Sequence, residues 1–417
     1  MSNRFTTNNH SFVYPYAMMH WALVFLTGLL VQFTWGASEF KAPSCSGTKL
    51  CPIEYPCCSQ GTCGTGTYCL GGCDPLESYS LEACTPKAIG QNRTFAWPNL
   101  DKAASNTKYL GNASASDWEY SGKPKLEDGN IVLTMPKNSV GTLLSSTHYI
   151  WYGKIAADVK SSRGKGVVTG FILMSDVKDE IDFEWVGSDL EKVQSNFYFQ
   201  GITNYTNGVK HAIKGPDTYT GWHHYEIDWT PEAIRWSVDG NVVRSLTKKS
   251  TWNATCKRYE YPQTPSRMQL SLWPAGRASN AKGTIDWAGG EINWDSENIK
   301  DHGYYSASFA NITMHSYDPP SGSGDGHRSY VYVNKDGLES SVRITNNDTV
   351  LPDMGHTGLN MASASHSKSA SSTSEASSAT ATSQSDEFVQ DEKNGASRRT
   401  SSTIYLTILG LVFSIFF

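Results

Sequence analysis

The chain has 417 residues, room for one large domain or two moderate ones, and it is rich in aromatic side chains, 12% of the total with 13 Trp. Formal net charge is only −5 and the Lys and Arg residues are scattered, which excludes a nucleic-acid partner. Eleven His show no HxH or HExxH spacing, so no metal and no cofactor are expected. So many Trp have two competing explanations, stacking on sugar rings and filling a β core, and composition does not choose between them.

At the N-terminus a polar lead containing Arg4 runs into a mostly apolar stretch from Met18 to Val31, followed by small residues Gly36-Ala37-Ser38. This predicts a cleaved signal peptide over 1–37, with a signal anchor as the alternative because the lead is long. Eight of the nine Cys then fall between Cys45 and Cys84, leaving only Cys256 elsewhere. Such density in an exported chain predicts disulfides that staple a segment too short to bury a core of its own. Zinc is the competing reading, but the CxxC pairs of zinc sites are missing. Sequons at Asn92, Asn112, Asn204, Asn253, Asn311 and Asn347 agree with secretion.

From about Thr94 to Ser316, short alternating or apolar runs are separated by Gly, Asn, Asp and Pro, as in Asn130–Met135, Tyr149–Val159 and Val167–Met174. No long stretch has helical periodicity, so the expected fold is all-β: a curved antiparallel β-sandwich, or jelly roll, over 74–316. A polar concave face would make a sugar-binding cleft. The central stretch is Lys178-Asp179-Glu180-Ile181-Asp182-Phe183-Glu184-Trp185. A strand repeats every two residues, so Glu180, Asp182 and Glu184 share one face and Ile181, Phe183 and Trp185 the other. Three like charges on one face are costly as structure, which points to catalysis.

Two carboxyl groups about 5 Å apart suit retaining glycoside chemistry. The Cα atoms of Glu180 and Glu184 are separated by roughly 13 Å along an extended strand, so their side chains must lean together over Asp182. Asp182 can then hold one Glu through a shared proton and keep the two pKa values apart. Glu226 and Asp228 also share a face, but two acids without a third fit a solvated surface better. In the run Arg267–Trp273, the residues Gln269, Ser271 and Trp273 lie opposite Met268, Leu270 and Leu272 and can line the cleft.

Beyond Pro320, a flexible Ser/Gly run and a poorly patterned segment are expected to form a linker over 317–360. Residues 361–394, dominated by Ser, Thr and Ala, predict a disordered, O-glycosylated stalk. The small cluster Asn394-Gly395-Ala396, a polar spacer and the apolar run Ile404–Phe417 have the layout of a GPI-anchor signal, with Asn394 the attachment site and 395–417 removed.

Two resemblances add to this reading. Cys57-Cys58-Ser59-Gln60, Cys63-Gly64 and Tyr68-Cys69 resemble the hevein-type chitin-binding module, here over 45–73. That resemblance implies the pairs Cys45 with Cys58, Cys51 with Cys63 and Cys57 with Cys69, and a sugar site at Ser59 and Tyr68; Cys73 and Cys84 would then form a separate bridge. The aromatic residues usual between Cys58 and Cys63 are replaced by Ser59-Gln60-Gly61-Thr62, so weak chitin binding or a purely structural cap is expected.

Glu180-x-Asp182-x-Glu184 on a β-sandwich resembles glycoside hydrolase family 16, and Asp179–Glu184 its fungal Crh branch. Tyr152-Gly153-Lys154, Ser195–Gly201, Tyr225–Pro231 and Leu270–Pro274 agree. The resemblance implies a cell-wall transglycosylase that cleaves a chitin donor and passes the chain to a β-glucan acceptor, with Glu180 as nucleophile, Glu184 as acid/base and Asp182 in support. Gln269, Trp273 and Thr284, the last on the following strand, match donor-sugar contacts, with Tyr198, Gln200 and Trp229 as further candidates; a core role competes for Trp229. The implied setting is the wall and the outer face of the plasma membrane, reached by a GPI-anchored monomer. Hydrolysis of chitin or β-glucan, and a non-catalytic wall lectin, are the alternative functions.

Overall fold

The computed structural model describes residues 41–364. The expected signal peptide, most of the stalk, Asn394 and the apolar tail lie outside the described residues. Two eight-stranded sheets dominate. The first, here the cleft sheet, runs in the order Val209–Ala212, Lys192–Tyr198, Glu180–Val186, Val167–Ser175, Ser266–Pro274, Thr142–Ile150, Trp118–Ser121 and Ala103–Ser105. All its pairs are antiparallel except the last. The back sheet is built around His223–Trp229, Gly153–Lys160 and the 13-residue Tyr304–Ser316. Among the described residues only two short α-helices occur, Lys282–Trp287 and Glu297–His302, and no helix is long and apolar enough to cross a membrane.

The alternation expected at Glu180–Val186 is what joins the sheets. Ile181, Phe183 and Trp185 are at most 1% exposed. Phe183 and Trp185 meet the Tyr225 ring of the back sheet at 5.3 and 4.6 Å, and the Trp185 indole N–H donates to the Tyr225 hydroxyl at 3.1 Å. Burial of one such ring contributes roughly 1.5–3 kcal/mol, and the hydrogen bond removes the cost of hiding a polar atom. The residues that alternate with them are thereby fixed on the opposite face.

The structure joins Cys45 to Cys58, Cys51 to Cys63, Cys57 to Cys69 and Cys73 to Cys84, and leaves Cys256 free and exposed. The sulfurs of Cys45, Cys51 and Cys58 cluster within 4.8 Å, but each is already bonded and offers no thiolate to a metal. Five sequon asparagines are exposed, and Asn253 is half-buried with its amide donating to Glu260.

Residues 317–360 are not a linker. Ser329–Tyr332 and Val342–Thr345 form a small sheet with Lys87–Ala88. Tyr330, Val342, Ile344 and Leu351 are buried, Tyr330 edge-on to Trp151 at 5.9 Å. The strands are four residues each and their apolar anchors are spaced by polar turns, so no periodicity marks them. The segment then crosses the cysteine-rich region: the Gly66 N–H donates to the His356 carbonyl at 2.9 Å and the Thr65 hydroxyl to that of Met354 at 3.1 Å. Gly111, at φ +92, is required where the Thr349 carbonyl passes, since a Cβ there would lie 2.0 Å from that oxygen. The described chain from Ala42 onward is one unit, so the cysteine-rich segment is not separated from the sandwich.

Candidate active site

The acidic face of Glu180–Val186 opens into a cleft of about 750 Å³. Register places each acid in a row of cross-strand neighbours. Glu180 lies between Tyr198 and Met174, Asp182 between Asn196 and Ile172, and Glu184 between Gln194 and Gly170. Gln269 continues the Asp182 row beyond Ile172, and Ser271 the Glu184 row beyond Gly170. Gly170 is required beside Glu184, because a Cβ there would come within 2.5 Å of the Ser271 hydroxyl oxygen.

Glu180 and Glu184 both line the cleft, whereas Asp182 is 1% exposed beneath them. Burial pushes the Glu180 carboxyl well above its ordinary range, and the neighbouring Asp182 charge raises it further. Burial pushes Asp182 up to about 7, against the lowering effect of the Arg244 guanidinium and the Asn196 backbone N–H. The pair therefore retains a proton near neutral pH. Arg244 is itself held by the Ser195 carbonyl at 2.8 Å and lies 4.7 Å over the Trp236 ring, whose N–H donates to the Asp182 carbonyl at 3.0 Å. Just ahead of the trio, the buried Asp179 accepts from the backbone N–H groups of Gln200, Gln263 and Thr264 and from the Thr264 hydroxyl. Burial raises Asp179 to about 6 in spite of those donors. It ties the loops at Gln200 and at Gln263–Thr264 to the strand's entry.

These carboxyls bind protons more tightly folded than unfolded. Asp182 starts from 3.8 in the free residue, so its stabilising contribution is complete below pH about 4 and is lost as pH rises through about 7. Asp182→Asn cannot titrate. Its melting temperature relative to the parent is therefore expected to climb from pH 4 to pH 8 in thermal-shift measurements; a gap that does not change with pH would contradict the assignment.

Gln269, Trp273, Thr284 and Tyr198 line the cleft with the two Glu residues. Thr284 lies on the helix Lys282–Trp287 and not on a strand. That helix is under two turns long, too short for a helical period to be visible. Trp287, one turn beyond Thr284, stacks on Trp273 at 6.2 Å and donates to the Gln194 amide oxygen at 3.0 Å. The Trp273 indole N–H and the Thr284 hydroxyl are buried without a hydrogen-bond partner among the described residues, which suits them to sugar hydroxyls.

Two expected contacts lie elsewhere. Trp229 is fully buried between the sheets, tilted against Tyr152 at 4.7 Å and donating to the Pro262 carbonyl at 3.0 Å. It shares its face with Tyr225 and Ile227, which point into the core. Trp229→Phe is expected to lower the melting temperature while leaving KM for oligosaccharides within about twofold, checked by thermal unfolding beside steady-state kinetics. Gln200 reaches away from the cleft, its amide donating to the Asp336 and Gly337 carbonyls at 2.7 and 2.8 Å. It pins the C-terminal segment. Glu226 and Asp228 face outward on the back sheet, paired with Lys154 and Arg235.

Sequence reasoning missed Trp287, Gln194, Asn196, Glu119 and Arg267 in the cleft. Gln194 and Asn196 alternate with Val193 and Ser195 and could have been found by the period-2 rule that located Gln269. Arg267 and Glu119 form an ion pair between residues 148 apart, for which no local signal exists.

The family model for glycosyl hydrolases family 16 matches residues 112–289, a range that contains the acidic trio and both cleft tryptophans. Crh-like protein 2 of Aspergillus fumigatus is 64% identical over 333 residues, covering 78% of this chain and 75% of the relative. The chain belongs to glycosyl hydrolases family 16. Within this family it is also similar to Congo red hypersensitive protein 2 of Saccharomyces cerevisiae, 44% identical over 76% of this chain and 69% of the relative. Among solved structures, a Crh5 transglycosylase in complex with NAG superposes with a TM-score of 0.52 at 29% identity, covering 65% of this chain and 99% of that one. As a family 16 protein the chain is an enzyme acting on glycosidic bonds.

Proposed function

We propose that this enzyme is a retaining transglycosylase of the fungal wall, taking a chitin chain as donor and a β-glucan as acceptor. The observation that carries the reading is the acidic row itself: two cleft-facing Glu residues on either side of a buried Asp with a raised pKa. Glu184 protonates the leaving glycosidic oxygen as Glu180 attacks the anomeric carbon. The C–O bond to the leaving chain breaks, and a glycosyl ester forms on Glu180. Glu184, now a carboxylate, takes the proton from an acceptor hydroxyl, whose oxygen displaces Glu180 and restores both groups. Positive charge developing at the anomeric carbon favours the arrangement with the proton on Asp182 and the charge on Glu180. Gln269, Trp273, Thr284 and Tyr198 hold the donor sugar.

Support for an N-acetylglucosamine chain as donor comes from the NAG complex of the Crh5 transglycosylase neighbour, and the β-glucan acceptor rests on the resemblance of Asp179–Glu184 to the Crh branch. The terminal signals in the sequence support export and a GPI anchor at Asn394, with the monomer held at the wall. The test incubates the secreted protein with chitin oligosaccharides and a labelled β-glucan oligosaccharide. Labelled hybrid chains are expected; short sugars without hybrids would make the enzyme a hydrolase, and no turnover of either kind would make it a lectin.

A further inference from the structure

The cleft runs across the cleft sheet from Lys210 at one edge to Asn106 near the other. One long side is the Trp273, Thr284 and Trp287 wall. The opposite side is built by the disulfide-stapled segment, through Ser59, Gln60, Gly61, Thr67 and the Gly71–Gly72 turn. The geometry points to a role for this segment as the second wall of the donor site, gripping the chitin chain within the active-site cleft. This inference rests on the transglycosylase reading and deepens it.

Three observations carry it. First, the wall is fixed. Lys178, two residues before Glu180 and at φ +68, bridges Asp74 at 3.1 Å and Glu77 at 3.2 Å. The Gly72 N–H donates to Asp176 at 2.8 Å, and Lys87 pairs with the same carboxylate at 3.3 Å. Gly71 lies so close under Arg267 that a Cβ would be 2.2 Å from its Nη1. Second, the side chains of Ser59, Gln60 and Thr67 make no hydrogen bond among the described residues, although Ser59 is only 5% exposed. A hydroxyl pair and a primary amide facing a groove match the hydroxyl and acetamido groups of N-acetylglucosamine, and the Gln60 amide can both donate to and accept from an acetamide. Third, the hevein-type sugar pair is split. Tyr68 lies over Gly64, where a Cβ would be 2.4 Å from the ring, and packs beside the Leu70 cluster, so Ser59 serves the cleft without it.

The test uses the full secreted protein carrying Glu180→Gln, titrated calorimetrically with chitin hexasaccharide and, separately, with a β-1,3-glucan hexasaccharide. Adding Gln60→Ala and Thr67→Ala is expected to weaken chitin binding about tenfold through two lost hydrogen bonds. The melting temperature reports that the fold is intact, since Gln60 is exposed and Thr67 only half-buried. Chitin affinity within twofold of the Glu180→Gln parent overturns the proposal. Loss of glucan affinity in place of chitin affinity overturns it as well, by giving the wall to the acceptor. If the unmutated enzyme forms no hybrids, the transglycosylase reading fails while the chitin titration still decides whether this wall binds the chain.

Discussion

Glu180→Gln is expected to abolish both transfer and hydrolysis, a loss of ~10⁴-fold or more, because without a carboxylate no glycosyl ester forms and both outcomes share that step. The amide is nearly isosteric and cannot carry the single negative charge that the buried pair otherwise shares, so the fold should be retained and chitin oligosaccharides should still bind. Glu184→Gln is a different lesion. It leaves the nucleophile and removes the proton donor, so a loss of ~10²–10⁴-fold is expected on chitin and much less on an aryl glycoside, whose leaving group needs no proton. Comparing the two variants on both donors separates the roles. Retention of more than about 1% of chitin turnover by Glu180→Gln would remove it from the nucleophile's position.

The second large effect is expected from the disulfides. Cys57 and Cys69 are fully buried at the centre of the stapled segment and close a separation of 12 residues. Replacing both by Ser should cost about 3 kcal/mol from the unfolded-chain entropy alone, and more because two hydroxyls then sit in an apolar cluster with Leu70 and Leu351. Because the segment forms a wall of the cleft, local loosening should raise KM before global unfolding sets in. Limited proteolysis mapped by mass spectrometry should show new cleavage between residues 45 and 84. A double variant that resists protease as the parent does would mean that clamping by Lys178 and the 354–356 segment suffices without this bridge.

What could be read from the sequence was what repeats locally. The alternation at Glu180–Val186 dictates which side chains meet the cleft and which meet Tyr225, and the rows through Gln269 and Trp273 follow from the same period. At Trp229, left open between sugar contact and core, the same rule decides for the core: it alternates in phase with Tyr225 and Ile227, and the charged Glu226 and Asp228 mark the outer face. Gln200 lay beyond that rule. Its partners at Asp336 and Gly337 lie more than 130 residues away, in a segment whose four-residue strands carry no period. The same distance hid the cysteine-rich wall, since nothing near Lys178 announces Asp74 and Glu77.

The return of residues 317–360 to the start of the folded chain has a consequence for biosynthesis. The cysteine-rich segment leaves the ribosome well before Arg267, Met354 and His356, against which it rests. Contacts across nearly 290 residues close late. All four disulfides span only 11 to 13 residues, so they can form as soon as their own stretch has entered an oxidising compartment. They keep the nascent segment in shape through the interval before the surface it belongs to exists.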